Sequence, residues 1–367
     1  MGGPAADALA RAGAAMAAAG VDALLIGPGA DLRYLVGYHA PALERLTLLV
    51  VGADGRHALV VPRLERPRAQ QAGVAERVDV VDYDETDDPF ALVARLLDGS
   101  GAQLRLGVGD RLWSGLLLGL QAALPEASWV PASAVTRELR MRKSPAEVDA
   151  LRRAARAIDR VHSRVADLLR PGRSEADVGR DIADLILAEG HDAVNFVIVG
   201  SGPNGASPHH ESGRRRLRRG DAVVVDIGGT LDGYCSDCTR DYVLGSPPDG
   251  YPQAHAALEA AQRAACEAVR PGVTAAQVDA AARRRLAEAG LGQFFVHRTG
   301  HGIGLEEHED PYIVAGNELG LEPGMAFSIE PGVYLPQRFG MRIEDIVVVS
   351  DEGCERLNRL DRAAVVV

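Results

Sequence analysis

Hydrophobic and polar positions alternate along this chain with two different periods, and the changes of period divide it into two parts. Residues 5–20 form an alanine-rich run with helical spacing. The all-apolar stretch Ala23–Ile26 follows and reads as a buried strand closed by Gly27-Pro28-Gly29. Two further apolar runs, Leu46–Val51 and His57–Val61, flank Ala53-Asp54-Gly55, a tight-turn signal that makes them a β-hairpin. Val78–Val81 supplies another strand, residues 90–98 a helix, and residues 106–124 a leucine- and glycine-rich stretch. The alternation predicts a small α/β domain over residues 1–135. It is poor in clustered polar residues, which suits scaffolding, substrate gating or subunit contact.

A different regime opens at Arg140. Ser144, Pro145 and Glu147 have the spacing of a capping box with proline at the first helical position. Val148, Leu151, Ala155, Ile158 and Val161 then recur at helical intervals, predicting a linking helix over residues 136–166. The second domain, residues 140–367, repeats itself. Arg170-Pro171-Gly172-Arg173-Ser174 returns as Arg270-Pro271-Gly272-Val273-Thr274, each copy following one helix and capping the next. Gly220 stands six residues before Asp226, as Gly324 does before Glu330. Each of these acids is trailed by another at the head of a strand, Asp237 and Glu344. A duplicated helix–helix–sheet unit would bring two carboxylates from each half around a pseudo-twofold axis.

Composition narrows the function. A chain of 367 residues with 47% hydrophobic content suits two soluble domains. No run approaches the roughly eighteen apolar residues of a membrane span. Met1–Ala6 lacks the basic opening of a secretion signal, so a cytoplasmic location is expected. The net charge of −11 disfavours nucleic-acid binding. Arg214-Arg215-Arg216-Leu217-Arg218-Arg219 is read as a solvated loop, because arginine replaces lysine everywhere except at Lys143. Cys235 and Cys238 have no second pair to complete a zinc knuckle, and strand-type residues follow them, so thiol chemistry is not expected.

The chemistry concentrates in His297–Pro311, where His297, His301 and His308 fall among Gly300, Gly302 and Gly304. The glycines exclude a helix, and with it a metal site built from two histidines one turn apart. An extended segment would instead put His297 and His301 on one face. Four carboxylates meeting in one cavity could not all stay ionised alone. Asp226, Asp237, Glu330 and Glu344 carry the charge that two divalent cations balance, and His301 adds a neutral nitrogen. Such ligation suits Mn²⁺, Co²⁺ or Zn²⁺, and paired ions acidify a water for hydrolysis.

Five segments, Val225-Asp226-Ile227-Gly228, Ser236-Asp237-Cys238-Thr239-Arg240, Gly300-His301-Gly302-Ile303-Gly304, Ile329-Glu330-Pro331-Gly332 and Arg342-Ile343-Glu344-Asp345, resemble the metal-ligand motifs of the pita-bread metallopeptidases, family M24. That family includes methionine aminopeptidase, aminopeptidase P and prolidase. The resemblance runs from about Arg140 to the C-terminus. Asp31–Gly37 is similar to the smaller, creatinase-type N-terminal domain of aminopeptidase P and prolidase. It implies an α/β fold in which that domain precedes a pita-bread catalytic domain, and an Xaa-Pro peptidase acting as a homodimer on short proline-containing peptides. Two divalent ions, Mn²⁺ foremost, would be held by Asp226, Asp237, His301, Glu330 and Glu344. By the same resemblance Glu330 is also the general base, and His209, His297 and His308 line the substrate site and stabilise the oxyanion. His308 would also help protonate the departing proline nitrogen.

Arg342, two residues from Glu344, is read as holding a ligand carboxylate, the substrate, or a purely structural salt bridge. His210 is read as a solvated loop residue, and His162, His191 and His255 as structural. One departure bears on specificity. Some prolidases place an arginine directly after the His-Glu-x-Pro segment, where it binds the dipeptide's C-terminal carboxylate; this chain has Tyr312. Dipeptidase and aminopeptidase P activity therefore both stay open. A metal-independent C–N hydrolase of creatinase type and a catalytically silent binding module are the alternatives on this scaffold, and the intact ligand set stands against both.

Overall fold

The computed structural model describes residues 7–97 and 103–367, and the chain divides into two compact units, one ending at Arg140 and the other spanning Met141–Val367. The first unit runs α1 (Ala8–Ala19), β1 (Ala23–Ile26), α2 (Ala30–Val36), β2 (Leu48–Gly52), β3 (His57–Pro62), α3 (Arg66–Gln71), β4 (Asp79–Tyr83), α4 (Pro89–Leu97), β5 (Arg105–Val108), α5 (Ser114–Ala123), β6 (Ser128–Pro131) and α6 (Ser133–Met141). Its strands form one sheet in the order β4-β3-β2-β1-β5-β6. β1 is apolar throughout because it is interior, paired with β2 on one side and β5 on the other, and buried along its whole length. The predicted hairpin forms with Val51 opposite His57, and Gly55 takes the left-handed conformation its turn demands (φ +86°). Residues 5, 6 and 98 of the predicted helices lie outside the described residues.

The predicted helix over 136–166 is two helices. α6 stops at Met141, and α7 (Pro145–Leu168) starts afresh. Pro145 lacks an N–H and forces Ser144 into extended backbone, which breaks the helix. The Ser144 hydroxyl then accepts from the Glu147 N–H while the Glu147 carboxylate accepts from the Ser144 N–H, completing the capping box.

The second unit continues with α8 (Glu175–Ala188), β7 (Ala193–Ser201), β8 (Ala222–Leu231), β9 (Tyr234–Val243), α9 (Tyr251–Ala268), α10 (Ala275–Glu288), β10 (Gly300–Gly302), β11 (Glu309–Ile313), β12 (Ala326–Ile329), β13 (Gly332–Leu335), β14 (Phe339–Arg342), β15 (Asp345–Val349), β16 (Cys354–Arg356) and β17 (Val365–Val366). Its sheets are ordered β17-β9-β8-β7 and β11-β10-β12-β15-β16, with β13-β14 as a separate hairpin. The sequence repeat is a structural one. The Gly172 N–H donates to the Leu217 carbonyl and the Leu217 N–H to that of Arg173; Gly272, Leu321 and Val273 make the same pair of bonds. Ser174 and Thr274 accept from the N–H three residues on, as helix caps do.

This arrangement aims the acids. Val225 and Ile227 of β8 and Cys238 of β9 pack against α7 and α8, so Asp226 and Asp237, one residue away, face the opposite side. Phe327 and Ile329 of β12 and Val347 of β15 pack against α9 and α10 in the same manner, and Ser328 and Glu330 are turned the other way. Two helix-backed sheets thus direct carboxylates from both halves inward. Among the described residues, no helix is long and apolar enough to cross a membrane.

Candidate active site

The inward faces enclose a cavity of about 510 Å³ within the second unit, lined by all five residues with metal-ligand motifs and by His209, His297, His308 and Arg342. Ligand atoms of Asp237, His301 and Glu344 lie within 4.8 Å of one another, and Glu330 Oε1 is 3.5 Å from His301 Nε2. Asp226 joins them through Thr239, whose hydroxyl is 2.7 Å from Asp226 Oδ1 and 2.8 Å from Glu344 Oε2. The glycines around His301 are there because β10 is squeezed between β11 and β12. A Cβ on Gly300 would stand 1.8 Å from the Ser328 carbonyl oxygen, and one on Gly302 would stand 2.2 Å from that of Asp310.

The electrostatics of these groups favour a cation among them. Burial, followed by the neighbouring carboxylates, pushes Asp237 and Glu344 far above the usual carboxylate range. Burial raises Glu330 to about 7, with Asp226 adding to the rise and Arg342 opposing it. His301 is brought down to about 3, chiefly by burial. Its Nδ1–H donates to the Gly302 carbonyl, which leaves the Nε2 lone pair facing Asp237 Oδ2 at 3.7 Å and the Glu330 carboxylate. Asp237 Oδ1 and Glu344 Oε1 are buried with no hydrogen-bond partner. Lone pairs that face one another without donors are what a cation resolves, and oxygen ligands with one neutral imidazole fit a divalent ion.

The surrounding residues are less uniform. Arg342 is committed to the site's own groups: Nη2 to Asp226, Nη1 to the Tyr334 hydroxyl at 2.9 Å and Nε to Thr239 at 3.0 Å. Its ion pair is with Asp226, one of the five residues with metal-ligand motifs. His297 lies in a bend, not in the expected extended segment, because α10 captures the chain there. Arg283 donates to the His297 carbonyl, and Asp279 accepts from the Thr299 N–H and hydroxyl. The His297 ring still lines the cavity, with Nδ1 2.7 Å from the Arg298 carbonyl and Nε2 2.9 Å from the Tyr334 hydroxyl. Burial, with Arg342 nearby, lowers it to about 4, so it is neutral. His209 is exposed on the cavity wall, and the exposed His308 ring sits 4.0 Å from that of His301.

His210 is not a solvated residue. Its Nε2 is 2.8 Å from the fully buried Glu175 carboxylate, which also takes hydrogen bonds from Ser201 and Asn204 and so ties down the loop carrying His209. His162 and His191 are buried and hydrogen-bonded within the scaffold, and His255 is buried beside Asp241. Cys235 and Cys238 are free thiols buried in β9. Arg215 of the basic run is paired with Asp221, while Arg214, Arg216, Arg218 and Arg219 are exposed. Tyr312 is not part of the cavity wall; Arg298 is, and its guanidinium lies over the Tyr312 ring. Thr239, Tyr334, Arg298 and Glu307 are polar site residues that sequence reasoning passed over, although each lies within four residues of a motif acid or histidine.

Residues 149–351 match the profile of metallopeptidase family M24. The chain belongs to this family. Its residues 9–142 match the creatinase/prolidase N-terminal domain, so an M24 catalytic domain follows a creatinase-type one, the order expected from the motifs. A probable dipeptidase PepE of Mycobacterium tuberculosis is 55% identical over 98% of this M24 chain and 96% of its own length. The Xaa-Pro dipeptidase of Pyrococcus horikoshii is 31% identical over 94% and 95%. The crystal structure of dipeptidase PepE from Mycobacterium ulcerans superimposes with a TM-score of 0.94 at 56% identity, covering 99% of this chain and 97% of that one. M24 membership implies divalent metal ions, and the donor set described above fits them.

Proposed function

We propose that this M24 metallopeptidase is a two-metal Xaa-Pro peptidase that removes an N-terminal residue from proline in dipeptides or short peptides. Its ions, Mn²⁺ foremost, would be held by Asp226, Asp237, His301, Glu330 and Glu344. The observation carrying this reading is the pair of buried, partnerless oxygens on Asp237 and Glu344 beside the His301 lone pair. Bound ions supply an acidified water and a polarised scissile carbonyl. Glu330 serves as general base as well as ligand, held by the Ser328 hydroxyl at 3.4 Å. Arg342 and Thr239 fix Asp226 and Glu344 so that the ligand set is formed before substrate arrives. His308, exposed at the cavity, is placed to hand a proton to the departing proline nitrogen. His209 and His297 line the substrate's path, and His297 is kept neutral and oriented by the Tyr334 hydroxyl. Tyr312 contributes through Arg298. The family resemblance further supports a homodimer.

The test is chelator-treated protein, with and without added Mn²⁺, Co²⁺ or Zn²⁺, assayed on Xaa-Pro dipeptides, longer Xaa-Pro peptides and creatine. Xaa-Pro cleavage that vanishes on chelation and returns with metal is expected. Turnover that survives chelation, or turnover of creatine alone, would sink the reading.

A further inference from the structure

The motif that starts a helix twice in the second unit differs between its copies at one buried position. Glu175 opens α8 and Ala275 opens α10, and both are 0% exposed. Their backbones are held alike: the Glu175 and Ala176 N–H groups donate to the Arg215 and Gly213 carbonyls, as those of Ala275 and Ala276 donate to Leu319 and Asn317. A methyl therefore satisfies this place in the scaffold, and a carboxylate there is costly unless it is hydrogen-bonded. Glu175 takes its hydrogen bonds from one segment. Ser201 donates through its N–H at 2.8 Å and its hydroxyl at 2.6 Å, Asn204 through its side-chain amide at 3.0 Å, His210 through Nε2 at 2.8 Å and Gly213 through its N–H at 3.3 Å. Arg215, which also donates to the Ser201 hydroxyl, is paired with Asp221.

That segment has little else to fix it. In the second copy the residues ahead of Asn317 include β11, which its ladder to β10 holds in place. Residues 207–213 belong to no helix or strand, yet they pass the cavity, whose wall includes Pro208 and His209. The Pro208 carbonyl accepts from Arg342 Nη1 at 3.3 Å, and His210 is bound to Glu175. The exposed His209 thus stands between two anchored neighbours. Neither Glu175 nor His210 lines the cavity itself.

We propose that Glu175 and His210 are positioning residues: they hold the 201–213 segment so that the His209 imidazole is kept where substrate binds. The catalytic consequence rests on the Xaa-Pro reading; the holding rests on the hydrogen bonds alone.

The first experiment measures kcat/KM on Ala-Pro for metal-loaded wild type, His210→Phe, His209→Ala and the double variant. His210→Phe keeps a ring and loses the N–H. It is expected to lower kcat/KM about ten- to hundredfold, since a displacement of about 1 Å has effects on that scale. On the His209→Ala background the same substitution costs nothing further, because the group it positions is gone. Losses that multiply in the double variant would show a merely structural role and overturn the proposal, as would a His210→Phe enzyme within about twofold of wild type. Hydrogen exchange read by mass spectrometry, without substrate, separates this from the peptidase reading. The 201–213 amides should exchange about tenfold faster in His210→Phe and in Glu175→Ala, the scale of one hydrogen bond to a charged group, with α9 and α10 unchanged. Where Glu175→Ala loosens the whole unit, His210→Phe decides. If wild type cleaves no Xaa-Pro bond but the exchange difference appears, the peptidase reading falls and the holding of 201–213 stands. Equal exchange in wild type and His210→Phe removes it.

Discussion

Lys143 is the perturbation whose cost follows most directly from the structure. Its ammonium donates to the Glu309 carboxylate, and the two side chains are 1% and 7% exposed. Gly304 lets them meet, since a Cβ there would stand 2.6 Å from Glu309 Oε1 and 3.0 Å from Lys143 Cε. Lys143→Met keeps the aliphatic stem and removes the ammonium that the buried Glu309 carboxylate faces. Breaking a buried pair from one side costs about 3–5 kcal/mol, whereas removing both charges is close to neutral. For a unit of this size that corresponds to a melting point lower by roughly 6–20 °C. Urea unfolding followed by far-UV circular dichroism is the assay, with the slope m required to stay constant. Tryptophan fluorescence, from Trp113 and Trp129, reports the first unit and serves as the internal comparison. The double variant Lys143→Met/Glu309→Gln should recover most of the loss, giving a coupling of at least about 2 kcal/mol. A single variant that costs under about 1 kcal/mol, or a double variant no better than the single, would refute the reasoning.

Two further outcomes are expected. Asp237→Asn removes one of several mutually repelling buried carboxylates, so the metal-free protein should melt no lower than wild type. The rise in melting point on adding Mn²⁺ should disappear, and a retained rise would remove Asp237 from the ligand set. His162, lowered to about 3 mainly by burial, is neutral when folded and takes up a proton on unfolding below pH 6.5. Its contribution to stability is therefore complete above pH 6.5 and is lost as pH falls toward 3, at up to about 1.4 kcal/mol per pH unit. His162→Gln should flatten that part of the stability profile relative to wild type; equal slopes in both proteins would contradict the assignment.

What could be read from the chain and what could not divide by distance along it. The Ser144–Glu147 capping box, the Ser174 and Thr274 caps and the turn at Gly55 depend on neighbours within a few residues, and the structure forms them as expected. The duplicated motif was legible because both copies keep the same short-range signals. The direction of the acids followed from strand alternation, once the helix-facing valines were known. Partner choice was not legible. Lys143 and Glu309 are 166 residues apart, Asp226 and Arg342 116, and Glu175 and His210 35. Nothing local marks His210 as other than a loop residue, because the carboxylate that claims it sits at the start of a distant helix. The bend at His297 likewise comes from Asp279 and Arg283 on α10, which outweigh the extended tendency of its own segment.

The only lysine of this chain lies beneath a carboxylate in the interior. Amine-directed reagents therefore meet no lysine side chain on the folded surface, so acylating labels, aldehyde cross-linkers and amine-coupling resins find no ε-amine there. Slow incorporation of such a label at Lys143 would instead time how often the ion pair opens, which makes a single residue a built-in clock for local unfolding next to His308.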